Sequence, residues 1–225
     1  MHRCLLALTT TLAAFSLSGC LDEPDRVEEF DYTDAVERVE LRSRSGDVEV
    51  QVDPSVQQTY VRASVYGDAT EVLARFENGV LDLGHDCPKR FRRCGVDWLV
   101  VLPPSEAPRI FDASAGSGDI DFFDTEGTLV VHTGSGDIGL HDVIATDVDL
   151  ETGSGDIGAR VTGFESLRAK TGSGDVGLGV PGGGYQLDID TGSGDVSKRG
   201  VSGDARAERV LEIRTGSGDV AVRAL

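Results

Sequence analysis

From Leu129 to the end of the chain, apolar and polar residues alternate in short runs that return at a nearly fixed interval. The pairs Leu129/Val131, Val148/Leu150, Leu167/Ala169, Leu187/Ile189 and Leu211/Ile213 each stand four and two positions ahead of a threonine, at 133, 152, 171, 191 and 215. A period of two places both members of a pair on one face of a half-buried strand. A second alternating run follows shortly after each, as Ile138/Leu140, Ile157/Ala159, Val176/Leu178 and Val220/Val222, with Ile120/Phe122 upstream. In one copy Lys198 follows Val196 and breaks the rule. Between Gly116 and Val222 no stretch carries the apolar stripe of a helix.

The two strands of each unit are joined by Gly-Ser-Gly-Asp followed by Ile or Val, at 116–120, 134–138, 153–157, 172–176, 192–196 and 216–220. The steps are 18, 19, 19, 20 and 24 residues, and a degenerate copy, Ser45-Gly46-Asp47-Val48, lies upstream. Several copies also match GxGxxG, but a dinucleotide fingerprint occurs once, between a strand and a helix, whereas these recur and lead into strands. A sharp corner explains them better: glycine supplies positive φ, and aspartate caps its own turn through backbone N–H groups. Strands recurring at this period predict an all-β, single-stranded parallel β-solenoid of 18–20-residue coils stacked about 4.8 Å apart, behind an irregular N-terminal β cap. In that stacking, His132, Glu151, Lys170, Asp190 and Arg214 form an outward column of alternating charge that helps specify register. Asp119, Asp137, Asp156, Asp175, Asp195 and Asp219 form a second column. Like carboxylates this close repel unless backbone and serine donors, or cations, satisfy them. Calcium-binding β-roll repeats are the cationic alternative, although those are nonapeptides used twice per coil.

Residues 36–111 hold further strand-like pieces, including Val61 to Val65, Val80 to Leu83 and Trp98 to Leu102 ahead of Pro103-Pro104. An early Ser-Gly-Asp-Val, then Leu-Val-Val-Leu-Pro at 99–103, then tandem Thr-Gly-Ser-Gly-Asp turns, resembles the bacterial putative-adhesin domain family of unknown function. That resemblance implies a β-solenoid in an envelope or surface protein and brings no catalytic residues. The chain departs from the pattern in its Cys87–Cys94 loop and its long last repeat.

The N-terminus changes the compartment. Met1-His2-Arg3 is basic, Cys4 to Leu17 is apolar apart from Thr and Ser, and Leu17-Ser18-Gly19-Cys20 resembles the lipobox of bacterial lipoproteins. Residues 1–19 are expected to be a signal peptide, with Cys20 lipidated and anchored to the membrane, 20–35 an acidic tether, and 36–225 the repeat domain, its cap at 36–111 and tandem repeats at 112–225. Cys87 and Cys94 then remain for a disulfide in an oxidising compartment, against a metal site made with His85 and Asp86. Between them Lys89, Arg90, Arg92 and Arg93 flank Phe91 as a basic cluster, either a solvated loop or an anion-binding anchor for phosphate or an acidic glycan.

Glycine, 29 of 225 residues, fits a chain with many corners, and a net charge of −18 excludes nucleic acid and general adsorption to anionic membrane. Trp98 is the sole tryptophan, and neither His132 nor His141 has an evident nucleophile beside it. The expected function is a non-enzymatic, cofactor-free lipoprotein of the cell envelope, in the outer membrane, presenting its β surface to an envelope or surface ligand. The alternatives are a periplasm-facing scaffold or envelope sensor, a calcium-binding β-roll, and a polysaccharide-active β-helix enzyme. Edge-mediated self-association is expected beyond Leu225, where the last strand meets solvent.

Overall fold

The computed structural model describes residues 23–67, 70–86 and 94–225. Seven strands precede the repeats: β1 Arg26–Tyr32, β2 Arg38–Ser45, β3 Val48–Val52, β4 Thr59–Tyr66, β5 Glu71–Glu77, β6 Val80–Asp86 and β7 Gly95–Leu102. The next seven are β8 Arg109–Ser117, β9 Ile120–Phe123, β10 Glu126–Ser135, β11 Ile138–Ser154, β12 Ile157–Gly163, β13 Ser166–Thr171 and β14 Val176–Val180. The last five are β15 Gly183–Thr191, β16 Val196–Arg199, β17 Val201–Gly203, β18 Val210–Thr215 and β19 Val220–Ala224. Residues 26–32, inside the segment expected to act as a tether, form β1.

The strands build two ladders that share one core. In the first the order is β5-β6-β2-β8-β10-β11-β13-β18-β15. In the second it is β1-β4-β7-β3-β9-β11-β12-β14-β19-β16. The 17-residue β11 serves both ladders. Inward residues of both, from Leu41 and Val100 to Leu129, Ile157 and Val222, enter the same buried cluster, as the period of two requires.

The whole is a mixed, nearly closed, barrel-like sheet, which overturns the single-stranded parallel β-solenoid expected from the repeat and implied by the family resemblance. Its parallel pairings join strands before and after successive Ser-Gly-Asp corners. The antiparallel pairings β1–β4, β4–β7 and β5–β6 belong to residues 26–102, which hold only the degenerate copy of the turn. Local turn chemistry explains one of them. Asn78 and Gly79, at φ 51° and 80°, are the two central residues between β5 and β6, and a two-residue Asn-Gly link with both φ positive closes an antiparallel hairpin.

Rung order at the other end also departs from the sequence. β18 and β19, from the sixth copy of the turn motif, insert between the fourth copy and the fifth, so Thr215 pairs with both Thr171 and Thr191. Hydrophobicity accounts for this order. Leu211, Ile213, Val220 and Val222 are all essentially buried, whereas β16 is exposed along its whole length. The copy carrying Lys198 at an inward position therefore sits at the end of the stack, where its ammonium stays in water. The strand next to the end of the chain is interior; at the C-terminal end β16 pairs on one side only, and β15 pairs with β18 through Gln186–Thr191 and with the short β17 through Gly183–Tyr185. The expected edge after Leu225 is corrected accordingly.

Candidate functional site

The recurring residues of the turn serve the backbone. Asp119 N–H donates to Asp47 Oδ1 at 3.0 Å, Asp137 N–H to Asp119 Oδ1 at 2.8 Å, and Asp156 N–H to Asp137 Oδ1 at 2.7 Å. The series continues as Asp175 to Asp156, Asp219 to Asp175 and Asp195 to Asp219. Asp97, outside the motif, ends it by accepting from Asp47 N–H at 2.9 Å. Each aspartate except Asp195, at the end of the stack, thus caps the neighbouring rung, which corrects the expectation that it caps its own turn, and these carboxylates tolerate their spacing because each accepts an amide proton. The threonines act in parallel: Thr152 Oγ1 donates to Gly136 O at 2.9 Å and Thr171 Oγ1 to Gly155 O at 2.9 Å. Among the described residues no group of three or more His, Cys, Asp or Glu side chains is arranged to hold a metal ion.

A different surface offers a place for a ligand. Along the outer face of the second ladder, Gly139, Gly158, Gly177, Ala221 and Ser197 follow one another in register. Small side chains leave the backbone bare, and a Cβ added at Gly158 or Gly177 would meet nothing within 4 Å. The next outward column contributes Arg160, then Gly179 beneath Leu225, then Arg223 and Arg199. Gly158, Gly177, Ala221 and Ser197, with Arg160, Gly179, Arg223 and Arg199, line a groove of 610 Å³, within the range of pockets that take small ligands.

Two pairs set its near end. His141 Nε2 lies 3.1 Å from Asp121 Oδ1, and the His141 ring stacks on Phe123 with centroids 4.3 Å apart and planes within 7°. Arg160 Nε donates to Asp142 Oδ1, which fixes the guanidinium. Arg199 and Arg223 make no ion pair among the described residues. The groove therefore holds an oriented ring pair at one end and, at the other, the guanidinium groups of Arg223 and Arg199, beside a flat backbone floor. Around the corner from Asp121, a second cavity of 310 Å³ is lined by Asp47, Glu49, Asp97, Asp119, Asp121 and Arg62. Partial burial there, with neighbouring carboxylates adding to it, pushes the Asp47 carboxyl above its ordinary range.

None of the groove arginines stands out in the sequence pattern ahead of the threonines. Their signal lies behind the motif, where the third residue after each Ile or Val reads Phe123, His141, Arg160, Gly179, Arg199 and Arg223 in chain order. His141 gains Asp121 as partner, and His132 Nδ1 stands 4.0 Å from Glu151. Cys94 is disulfide-bonded, with Thr70 Oγ1 3.0 Å from its sulfur. Cys20, Cys87 and the basic cluster Lys89, Arg90, Arg92 and Arg93 lie outside the described residues.

The outward charge column is rearranged by the rung order. Lys170 neighbours Arg214 rather than Asp190. Other ion pairs offset the repulsion: Lys170 Nζ to the facing Glu151 at 2.6 Å, Arg168 Nε to the facing Glu212 at 3.2 Å, and Arg214 to the diagonal Asp188 at 3.2 Å and to Glu212 of its own strand at 3.1 Å.

Comparison with known proteins adds three findings. The model of the family described as Toastrack DUF4097 matches residues 109–223. Among solved structures the chain is similar to a putative cell adhesion protein from Clostridium sporogenes, with 13% identity over 89% of this chain and 100% of that one and a TM-score of 0.50. It is also similar to a putative adhesin from Bacteroides fragilis, with 13% identity over 89% and 98% of the two chains and a TM-score of 0.44. No curated protein matches it in sequence.

Proposed function

The chain belongs to the Toastrack DUF4097 family, and from that premise we propose that it is a non-enzymatic lipoprotein of the cell envelope, anchored through lipid on Cys20, whose β surface binds a ligand. The observation that carries this reading is the groove, where a flat floor of Gly158, Gly177, Ala221 and Ser197 lies beside Arg199 and Arg223, which make no ion pair among the described residues. A rigid ladder holds these groups at fixed spacing, which suits recognition of an extended partner. The adhesion protein from Clostridium sporogenes shares the fold and bears a name of the same kind. Catalysis finds less support, because the turn aspartates are occupied by amide donors and His141 is held by Asp121. The Lys89–Arg93 cluster is a second candidate contact.

Two measurements on cells test it. Cys20→Ala should move the protein from the membrane to the soluble fraction, and an unchanged membrane fraction would remove the anchor. Protease added to intact cells should cleave a surface-exposed binding protein. Cleavage only after permeabilisation would instead favour a scaffold or sensor facing the periplasm.

A further inference from the structure

We propose that the groove of the second ladder binds an acidic oligosaccharide whose carboxylates repeat along the chain. The proposal rests on the reading as a binding protein and names the ligand class. Its first support is charge. On a molecule of net charge −18, Arg160, Arg199 and Arg223 converge on one groove, and two of them are without an ionic partner among the described residues. Guanidinium groups pair with carboxylates through parallel hydrogen bonds.

Spacing is the second support. Arg160 and Arg223 stand two rungs apart and Arg223 and Arg199 one rung apart, so their backbone positions repeat at about 10 and 4.8 Å along the stack. Such an array matches anions repeating along a chain better than one isolated anion. The third support is the floor. Gly158 and Gly177 expose backbone with open space above, which lets a flat ring approach closely, and the His141–Phe123 stack supplies an aromatic platform at the end of the groove. A nucleic acid, with its denser charge, is repelled by the molecule as a whole.

The test titrates the full chain, purified from membranes in detergent, with polygalacturonate oligomers. The same oligomers with methyl-esterified carboxylates, polyglutamate, and phosphatidylglycerol vesicles are the comparison probes. Polygalacturonate should bind and its ester should not. Arg199→Ala and Arg223→Ala should each weaken binding about tenfold, and Gly158→Tyr should abolish it by filling the floor while leaving every arginine in place. Thermal unfolding of each variant shows whether the fold is kept.

No binding of polygalacturonate by the folded wild-type chain would overturn the proposal, as would binding that ignores all three substitutions. Equal or tighter binding of polyglutamate, or of the vesicles, through the same arginines would also overturn it, assigning the groove to an acidic peptide or a lipid headgroup. The fractionation and protease results are independent of these outcomes, so the binding-protein reading stands or falls separately.

Discussion

Two glycines only 40 positions apart show how differently one residue type is used. Gly118 sits at φ 126°, and a Cβ there would run into the backbone carbonyl of Gly46 on the adjacent rung. Strain and clash have nowhere to relax, because the obstacle is main chain. Gly118→Ala should cost about 3 kcal/mol, read by urea denaturation. Gly158, with open space above its Cα, should accept alanine with a change of about 0.5 kcal/mol or less, and equal losses at both sites would refute this account. His85 makes a different kind of prediction. It is 6% exposed, neither ring nitrogen has a hydrogen-bond partner among the described residues, and burial, with Arg44 adding to it, holds its pKa below the ordinary 6.5. Because the unfolded chain binds that proton more readily, stability should be full above pH 6.5 and fall as pH drops through 6.5 toward the depressed native value. His85→Leu should shrink the difference in urea midpoint between pH 8 and pH 5, and an unchanged difference would show that His85 does not control it.

At the scale of the element, β16 resolves the one irregularity in the repeat. Val196, Ser197, Lys198 and Arg199 pair with β19 on one side only, and Lys198 aligns with the inward Val222. An inward charge on an edge strand discourages another chain from adding to the sheet. Lys198→Val should remove that protection and give concentration-dependent association by sedimentation velocity. A variant that stays monomeric across the same concentrations would show the edge is guarded by other means. The repeat thus made most of the strands legible: Leu129/Val131 and their counterparts announced inward faces, and the turn motif marked each corner. What it did not announce was the partner of each strand. The antiparallel N-terminal pairings had a local signal at Asn78-Gly79, but the long-range pairing of β4 with β7 leaves no mark in a short window of sequence. Site residues were hidden for a related reason, since Arg160, Arg199 and Arg223 become neighbours only when rungs are stacked in their actual order.

For the molecule as a whole, that order is the feature with most to test. Stacking in chain order would place Asp190 beside Lys170 and Asp188 beside Arg168, a favourable set of opposite charges on exposed positions. The fold instead sets Arg214 beside Lys170, a like-charge contact, while Glu212 takes the place of Asp188 beside Arg168 and keeps the charges opposite. Exposed ion pairs are each worth about 0–1 kcal/mol, whereas burying Lys198 inside the stack would cost several kcal/mol. Keeping that ammonium in water outweighs the one opposite-charge contact forgone at Lys170, and the fifth copy is left at the end. Cysteine crosslinking can read this directly, because a disulfide needs Cα atoms about 4.4–6.8 Å apart and paired strands lie about 4.8 Å apart. The double variant Lys170→Cys/Arg214→Cys, on adjacent strands, should crosslink under mild oxidation. Lys170→Cys/Asp190→Cys, with β18 between the two positions, should not. The reverse result, measured by mass spectrometry of peptides from the oxidised protein, would mean that the copies stack in chain order. It would also separate Arg223 from Gly179 and redraw the groove.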